Sequence, residues 1–373
     1  MEVSFNIVTV IMILGMVQGF FLSLLLATIK KENQLSGKIL AVLIMIVSLL
    51  LLLIVFYETK QYELTLFTGL FLFPATLSIG PLLYLYTKSL IEKDFKFSAR
   101  SFVHFIPYFL ALFYLLRYYF IPQKEALEFI HKFFLDEPTA FEMFFRYVDI
   151  FLRATYTIAA IKILIDYGSR LKEEYSSIEK FDFRWLRYLL IVSLFTTLFL
   201  LTITLLRLGN NVRALMGLIF SVLIYVIGYE FIKHNVSSPV KGKTAQKTKY
   251  KRSGLAEETK NEISGRLKEV MKKRRLFLNP DLTLNKLAEI LELSPNHLSQ
   301  VINEMFGKNF FDFVNGYRIE EAKKFLTSHE TEDWTILAIA YEVGFQSKST
   351  FNAVFKKVAN ETPSQYRKAN RKG

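Results

Sequence analysis

The feature that most constrains this chain is the segment 5–29, in which no residue is charged. A helix of roughly 20 apolar residues can cross the hydrocarbon core of a bilayer. The segment follows Glu2 rather than a basic region, its apolar run is too long for a signal peptide, and no small-residue cleavage site comes after it. We therefore interpret it as a transmembrane helix that remains in the protein.

Six further apolar segments of similar length follow before residue 233. Two of them are less apolar, because 102–121 contains His104 and Arg117 and 147–165 contains Asp149, Arg153 and Lys162. The sequence predicts an all-α protein with a seven-span transmembrane domain over residues 1–232. The predicted spans are 5–29, 39–57, 64–86, 102–121, 147–165, 188–206 and 214–229.

Lys and Arg are distributed unequally among the predicted loops. One set of alternate loops contains twelve of these residues and the other set contains six. Because cytoplasmic loops are enriched in Lys and Arg, the richer set is assigned to the cytoplasm. This places the N-terminus outside and the C-terminal half inside, and predicts a multi-pass protein of the inner (cytoplasmic) membrane. The richer loops are 30–38, 87–101 and 166–187, and the poorer loops are 58–63, 122–146 and 207–213.

Asp149 and Arg153 are charged residues inside a predicted span, where charge is costly and often functional. They are four positions apart and can pair along one helix face. Two interpretations remain open: a buried structural ion pair, or a polar lining of a ligand pocket. An unknown signal ligand could instead bind the acidic loop 122–146, the longest loop predicted on the outer side of the membrane.

Residues 233–254 read KHNVSSPVKGKTAQKTKYKRSG and contain seven basic and no acidic side chains. This composition predicts a flexible basic linker that cannot bury a core. A basic stretch directly after a span is typical of cytoplasmic retention and of contact with anionic lipid, so the lipid bilayer is a predicted partner. A direct contact between this linker and DNA is the alternative.

The chain contains no Cys, which excludes a disulfide framework, thiol catalysis and Cys-ligated zinc. Its five His are scattered and include no H-E-x-x-H pairing. The sequence therefore predicts no metal site and no cofactor, and we interpret the protein as something other than an enzyme.

After the linker, residues 255–373 change to the pattern of water-soluble amphipathic helices. Within 284–304, a short helix with Ala288 on its inner face leads into a turn at Glu292, and a second helix follows. This pattern predicts a helix-turn-helix unit. Such units prefer Gly at the turn, so a left-handed backbone at Glu292 would cost roughly 1 kcal/mol.

A second unit of the same kind covers residues 336–357. Ala340 occupies the position where the two helices cross, and Gly344 follows four residues later as the turn glycine. A solvated polar helix face explains any one polar residue in these units. It does not explain two units in which the small residue and the turn have the same spacing.

The second helix of each unit presents polar side chains that suit DNA, since Asn and Gln pair with adenine and Lys pairs with guanine or phosphate. Base contacts from the first reading helix are predicted for Asn296, His297, Gln300 and Asn303. Base contacts from the second are predicted for Gln346, Ser347, Lys348, Ser349, Asn352 and Lys356. Phosphate contacts are predicted for Arg318, Lys357 and Arg367, with Arg318 taken as exposed on the long helix between the units.

The two units resemble the DNA-binding domain of AraC/XylS-type transcription regulators. The resemblance is carried by Leu284–Gly307 and, more closely, by Ile339–Arg367, which contains Val343-Gly344-Phe345 and Thr362-Pro363-Ser364-Gln365-Tyr366-Arg367. It implies two helix-turn-helix units joined by a long helix, with their reading helices in successive major grooves. The small-molecule-binding β-barrel often found ahead of this domain is replaced here by the predicted spans, so the effectors of other members cannot be carried over.

The leading hypothesis is a membrane-anchored transcription regulator that binds double-stranded promoter DNA. The spans would act as a sensor or a tether, and a homodimer formed through them would add avidity. The alternative is a membrane transporter or enzyme that carries a regulatory DNA-binding tail, although the halves lack the repeats typical of a transporter. A third hypothesis, a degenerate tail that binds protein partners, conflicts with the intact turn spacing.

Overall fold

A computed structural model describes residues 6–28, 34–92, 94–134, 140–179, 181, 183–206, 211–237 and 255–370. The chain divides into two compact units. Unit 1 consists of Met1–Ile165 and Phe183–Pro239, and unit 2 consists of Asp166–Asp182 and Val240–Gly373. Every regular element in the described ranges is helical, which confirms the predicted all-α class. A single antiparallel bridge joins Tyr175 to Thr283.

The described residues of unit 1 are mainly apolar helices. Some spans are divided, since 3-10 turns at Thr76–Ser78, Val103–Phe105 and Arg117–Tyr119 follow or separate α-helices. The helix α8 continues beyond residue 165, so its last turns belong to unit 2. The helices are α1 (Ile7–Thr28), α2 (Gln34–Glu58), α3 (Tyr62–Ala75), α4 (Ile79–Ile91), α5 (Ala99–Phe102), α6 (Ile106–Leu116), α7 (Gln123–Phe134), α8 (Ala140–Glu174), α9 (Arg184–Leu206) and α10 (Asn211–Ser237).

Among the described residues, five stretches are long and apolar enough to cross a membrane. Leu215–Glu230 within α10 is apolar but shorter, and the predicted span 147–165 lies within α8, where it carries charged side chains. All seven predicted spans are therefore helical, while membrane-crossing length and composition are found for five. The five stretches are Ile7–Thr28, Gln34–Glu58, Tyr62–Ile91, Ala99–Tyr119 and Arg184–Leu206.

Small residues of α1 let it pack closely against neighbouring helices. A Cβ atom on Gly15 would lie 2.6 Å from the side chain of Ser221, and one on Gly19 would lie 2.0 Å from the hydroxyl of Ser48. Close approach at Gly and Ser is typical of helix packing in membranes. On the same helix Val17 and Phe21 are exposed, so large apolar side chains point away from the protein, as they would toward lipid.

The structure differs from the prediction in two regions. The helix α10 extends to Ser237, so the first residues of the predicted linker 233–254 are helical; residues 238–254 lie outside the described residues. The predicted outer loop 122–146 contains α7 and the start of α8. Apolar periodicity could not separate these helices from loops, because both regions are rich in charge.

Unit 2 contains seven helices after the linker, arranged around two apolar cores. The first core surrounds Leu287, Leu298 and Val314, and the second surrounds Ile339, Phe351 and Phe355. The long helix α14 contributes side chains to both cores, so it connects the two helix-turn-helix units rigidly. The helices are α11 (Glu257–Arg274), α12 (Leu284–Ile290), α13 (Pro295–Phe306), α14 (Phe310–Thr327), α15 (Ile336–Glu342), α16 (Lys348–Ala359) and α17 (Pro363–Asn370).

Candidate nucleic-acid interface

The first helix of each helix-turn-helix unit begins at a capping threonine. The Thr283 hydroxyl accepts a hydrogen bond from the backbone N–H of Lys286 at 3.2 Å, and the Thr335 hydroxyl accepts one from Ala338 at 3.1 Å. Such caps satisfy backbone donors that the helix itself leaves unpaired. They fix the start of α12 and α15 at equivalent positions.

The turns of the two units also share one hydrogen-bond pattern. The backbone N–H of Leu293 donates to the Ala288 carbonyl at 2.9 Å, and that of Phe345 donates to the Ala340 carbonyl at 2.9 Å. Both alanines are fully buried at 0–1% exposure, which leaves no room for a larger side chain where the helices cross. The two predicted units are therefore formed, and they fold by the same local interactions.

The turn residue is left-handed in both units. Glu292 has φ 58° and Gly344 has φ 93°. At Gly344 an added Cβ would lie 2.6 Å from the Leu278 carbonyl oxygen and 3.0 Å from that of Phe277. Glycine is thus required at the second turn by both conformation and space, whereas Glu292 meets only the conformational cost of a left-handed residue.

The first reading helix, α13, begins with a Ser294 cap that accepts from the His297 N–H at 3.2 Å. Asn296 and Asn303 are exposed, while His297 and Gln300 are half-buried. The Gln300 amide donates to Glu304 at 3.0 Å. All four predicted residues are at least partly accessible on one helix, as a reading surface requires.

The second reading helix, α16, begins at Ser347, whose hydroxyl accepts from the Thr350 N–H at 3.1 Å. Its role is thus capping, and the Ser349 hydroxyl lies 3.1 Å away. Gln346 precedes the helix and its amide donates to Asp281 at 3.3 Å. Lys348, Ser349 and Lys356 are exposed, and Gln346, Ser347 and Asn352 are half-buried.

The Asn352 amide oxygen is buried without a hydrogen-bond partner among the described residues. A buried acceptor without a partner costs free energy. On a reading helix, a donor from a base edge or a bridging water would satisfy it. Among the residues predicted to contact bases from the second reading helix, Asn352 therefore has a side-chain oxygen that still needs a hydrogen-bond donor.

The predicted phosphate contacts differ in accessibility. Lys357 is exposed and its ammonium lies 2.8 Å from the Asp312 carboxylate. Arg367 is half-buried, and its Nη1 donates to the Trp334 carbonyl at 2.8 Å. Both can still be approached from solvent, although each already has a protein partner.

The prediction that Arg318 is exposed is wrong. Its side chain is 0% exposed within α14. Its Nε donates to the Phe277 carbonyl at 2.6 Å and its Nη2 donates to the Asn279 carbonyl at 2.8 Å. Burial lowers the pKa of Arg318 to about 10, against a weaker opposing effect of Glu179. The guanidinium is occupied inside the domain and is not a phosphate contact.

Two segments that sequence reasoning did not connect meet at Arg318. Its Nη1 donates to the Ser176 carbonyl at 3.1 Å, to the Ser177 hydroxyl at 3.2 Å and to the Asn315 side-chain oxygen at 3.0 Å. One signal was available in the sequence: Arg318 stands four positions after the buried Val314 and four before the buried Ala322. That spacing places it on the buried side of the helix.

The ion pair predicted between Asp149 and Arg153 in unit 1 is formed. Arg153 Nε donates to the two Asp149 oxygens at 3.0 and 2.9 Å, and its Nη2 lies 3.3 Å from the Thr76 carbonyl. Arg153 is 5% exposed, and a Cβ on Gly80 would lie 3.1 Å from its Cα. Close packing around a satisfied pair favours the interpretation as a structural ion pair.

Residues 287–369 match the family described as "Helix-turn-helix domain". The C-terminal region carries an AraC-type helix-turn-helix domain. The match begins within α12 and ends in α17, so the AraC-type domain includes both turns and both reading helices.

Curated relatives match about a quarter of the chain and are described as HTH-type transcriptional regulators. An uncharacterised HTH-type transcriptional regulator of Staphylococcus aureus (strain COL) is 41% identical over 92 residues, which is 25% of this chain and 12% of the relative. The uncharacterised HTH-type transcriptional regulator YtdP of Bacillus subtilis (strain 168) is 34% identical over 91 residues, which is 24% of this chain and 11% of the relative. The chain thus spans a small part of the length of these relatives.

Two solved structures similar to part of the chain are C-terminal domains of response regulators. That of AraT from Geobacillus stearothermophilus is 32% identical and covers 32% of this chain and 92% of its own, with a TM-score of 0.27. That of yesN from Fusobacterium nucleatum is 34% identical and covers 30% of this chain and 98% of its own, with a TM-score of 0.24.

Proposed function

We propose that this protein is a membrane-anchored transcription regulator that binds double-stranded promoter DNA in a sequence-specific manner. The AraC-type domain would place α13 and α16 in successive major grooves. Base contacts would come from the polar residues of these two helices, and phosphate contacts from Lys357 and Arg367. Phosphate contacts position the domain on the duplex, whereas contacts with base edges specify the sequence.

The observation that carries this proposal is the repeated turn geometry. Both units have a left-handed turn residue and the same backbone hydrogen bond back to a buried alanine. Both reading helices begin at a serine cap and present accessible polar side chains. Two matched turns together with two polar reading surfaces are what DNA binding requires, and a domain that binds only protein partners does not need them.

The membrane part of the proposal rests on the apolar helices of unit 1. Five stretches have the length and composition of spans, and we propose that α8 and α10 supply two more. With seven spans and the Lys/Arg asymmetry of the loops, the N-terminus would lie outside and the AraC-type domain in the cytoplasm, at the inner membrane. The spans would sense a signal ligand or tether the domain, and dimerisation through them would let two domains bind one promoter.

The proposal is tested with the full chain in lipid nanodiscs and a random duplex library. Selection at physiological salt is expected to enrich one sequence pattern over random DNA. The double variant Lys348→Ala and Asn352→Ala is expected to lose this preference, since each lost base contact costs about 1–3 kcal/mol of discrimination.

Lys324→Ala is the matched control, because Lys324 is an exposed lysine of the same domain that pairs with Glu321 on α14, away from the reading helices. It is expected to keep the selected sequence and to change only the overall affinity. A wild-type chain that enriches no sequence would refute the regulator, and a preference that survives the double variant would refute the assignment of base contacts.

A further inference from the structure

The segment Tyr175–Phe181 connects α8 to α9, yet it packs in unit 2 with the AraC-type domain. Asp166–Asp182 belongs to unit 2, whereas the residues before and after it in the chain belong to unit 1. The chain thus runs from unit 1 into this segment of unit 2 and back into unit 1.

This segment is held in one register by hydrogen bonds to the backbone of the AraC-type domain. Tyr175 forms an antiparallel bridge with Thr283, the capping residue of the first helix-turn-helix unit. The Ser176 N–H and hydroxyl both donate to the Leu282 carbonyl, at 3.2 and 2.7 Å. Ser176 is 1% exposed, so these hydrogen bonds are made away from solvent.

The buried side chains of α14 complete the docking site. Asn315 donates to the Ser176 carbonyl at 3.1 Å, and the Arg318 guanidinium contacts both Ser176 and Ser177. Ile178 packs against the core of the second helix-turn-helix unit. The segment therefore contacts both helix-turn-helix units and α14, the helix between them.

The docked segment also brings negative charge to the reading surface. The Glu173 carboxylate, in the last turn of α8, lies close to the Asn303 side chain on the first reading helix and to Asp312. Asp312 in turn pairs with Lys357 at 2.8 Å. Glu173 thus places a second carboxylate beside a proposed base-contact residue and near Asp312, the partner of a proposed phosphate contact, where a DNA phosphate would be repelled.

We propose that residues 173–179 form a latch that docks on the AraC-type domain and lowers its affinity for DNA. A signal that shifts α8 or α9 would withdraw the latch and remove the Glu173 carboxylate from beside Asn303 and Asp312, so that DNA can approach the first reading helix. This inference rests on the proposed function, because it assumes that α13 and α16 read DNA. It adds the route by which the membrane helices control that reading.

The latch is tested first by a disulfide in the full chain, held in nanodiscs. The chain has no Cys, so Tyr175→Cys with Thr283→Cys introduces one defined pair. Residues joined by an antiparallel bridge have Cα atoms about 4.5–5.5 Å apart, within the range a disulfide accepts. The matched control pairs Tyr175→Cys with Thr335→Cys, which removes the equivalent cap from the second unit.

Mild oxidation is expected to protect both cysteines of the first pair from a maleimide reagent, and to leave the control pair reactive. Reactive cysteines in both pairs would overturn the docking. Equal protection of both pairs would overturn its specificity, because the segment would then lie against the domain without the Thr283 register.

The inhibitory effect is tested by the affinity of each form for the duplex that the reduced chain selects from a random library. Ser176→Pro removes the N–H and hydroxyl that hold the latch, and Glu173→Gln removes only the charge at the reading helix. The oxidised, locked form is expected to bind between about 5-fold and 150-fold more weakly than Ser176→Pro. Glu173→Gln, a second variant that keeps the docking contacts, is also expected to bind more tightly than the locked form.

Equal affinities among the locked form, Ser176→Pro and Glu173→Gln would overturn the latch while leaving the regulator intact. A chain that selects no duplex in any form would instead refute the proposed function. Tighter binding by the locked form would show that docking activates the domain, which contradicts the latch as proposed.

Discussion

Arg318 and Ser176, which lie 142 positions apart in the chain, are joined by two hydrogen bonds from one guanidinium. Nη1 donates to the Ser176 carbonyl and Nη2 donates to the Ser176 hydroxyl, each at 3.1 Å. The same group donates to the carbonyls of Phe277 and Asn279. A single buried cation therefore fastens three stretches of unit 2: α14, the loop before α12, and the segment that follows α8.

Replacing Arg318 by Met is expected to destabilise unit 2 strongly. It would leave several buried carbonyl oxygens without donors, and each unsatisfied group costs about 1–3 kcal/mol. Hydrogen exchange of α12 and α14 in the detergent-solubilised full chain would measure the loss as faster exchange. Arg318→Lys should recover part of the protection because it keeps a charged donor, whereas Lys324→Met, at an exposed position of the same helix, should change nothing.

The two turn residues allow a matched pair of opposite substitutions. Gly344→Ala is expected to destabilise the second unit, because the left-handed residue costs roughly 1 kcal/mol and the new Cβ meets the Leu278 carbonyl. Glu292→Gly relieves the same conformational strain in the first unit, where φ is 58°. It should therefore be neutral or stabilising by up to about 1 kcal/mol.

Both variants are unfolded with urea in the full chain, and unfolding is followed by hydrogen exchange. Exchange within α15 reports on Gly344→Ala, and exchange within α12 reports on Glu292→Gly. An equal loss of stability in both variants would contradict the assignment, since only Gly344 is confined by neighbouring backbone.

The turns could be predicted from the sequence because their determinants are local. Spacing from Ala288 and Ala340 is enough to place each turn, whereas Ser347, predicted as a base contact, caps the second reading helix. The cost of roughly 1 kcal/mol predicted for a left-handed backbone at Glu292 also applies, since that residue has φ 58°.

The environment of Arg318 could not be predicted in the same way. Its partners Ser176 and Ser177 lie in the loop 166–187, which the Lys and Arg count predicts to be a cytoplasmic loop between two spans, and no local pattern connects them to α14. Charge alone suggested exposure, although the spacing from Val314 to Ala322 pointed inward. A basic residue at a buried helical position is stabilised only by long-range partners, and these are invisible to periodicity.

The end of α8 predicts a dependence of unit 2 stability on pH. Burial raises the pKa of Glu174 to about 7, against a weaker opposing effect of Arg170. A carboxyl whose folded-state pKa is raised stabilises the fold fully below its ordinary value of 4.5, and this contribution is lost as pH rises through about 7. Residues 175–181 should therefore be less protected at about pH 8 than at about pH 5.5.

Hydrogen exchange of this segment, corrected for the intrinsic effect of pH on exchange rate, measures that change. Glu174→Gln removes the titrating group and is expected to flatten the dependence. If this variant shows the same pH dependence as the parent chain, another group is responsible. Glu173 is then the nearest candidate, because burial also raises its pKa.

The ion pair of Asp149 and Arg153 gives a prediction for the membrane unit. Asp149→Asn leaves a buried Arg153 charge without its carboxylate partner, which typically costs about 3–5 kcal/mol. The double variant Asp149→Leu and Arg153→Met removes both charges and is expected to be closer in stability to the parent chain than either single variant. A double-mutant cycle on thermal unfolding in detergent measures the coupling. If the pair instead lined a ligand pocket, the double variant would keep its stability but lose signal-dependent changes in DNA binding. DNA binding by the same proteins in nanodiscs therefore decides between the two interpretations.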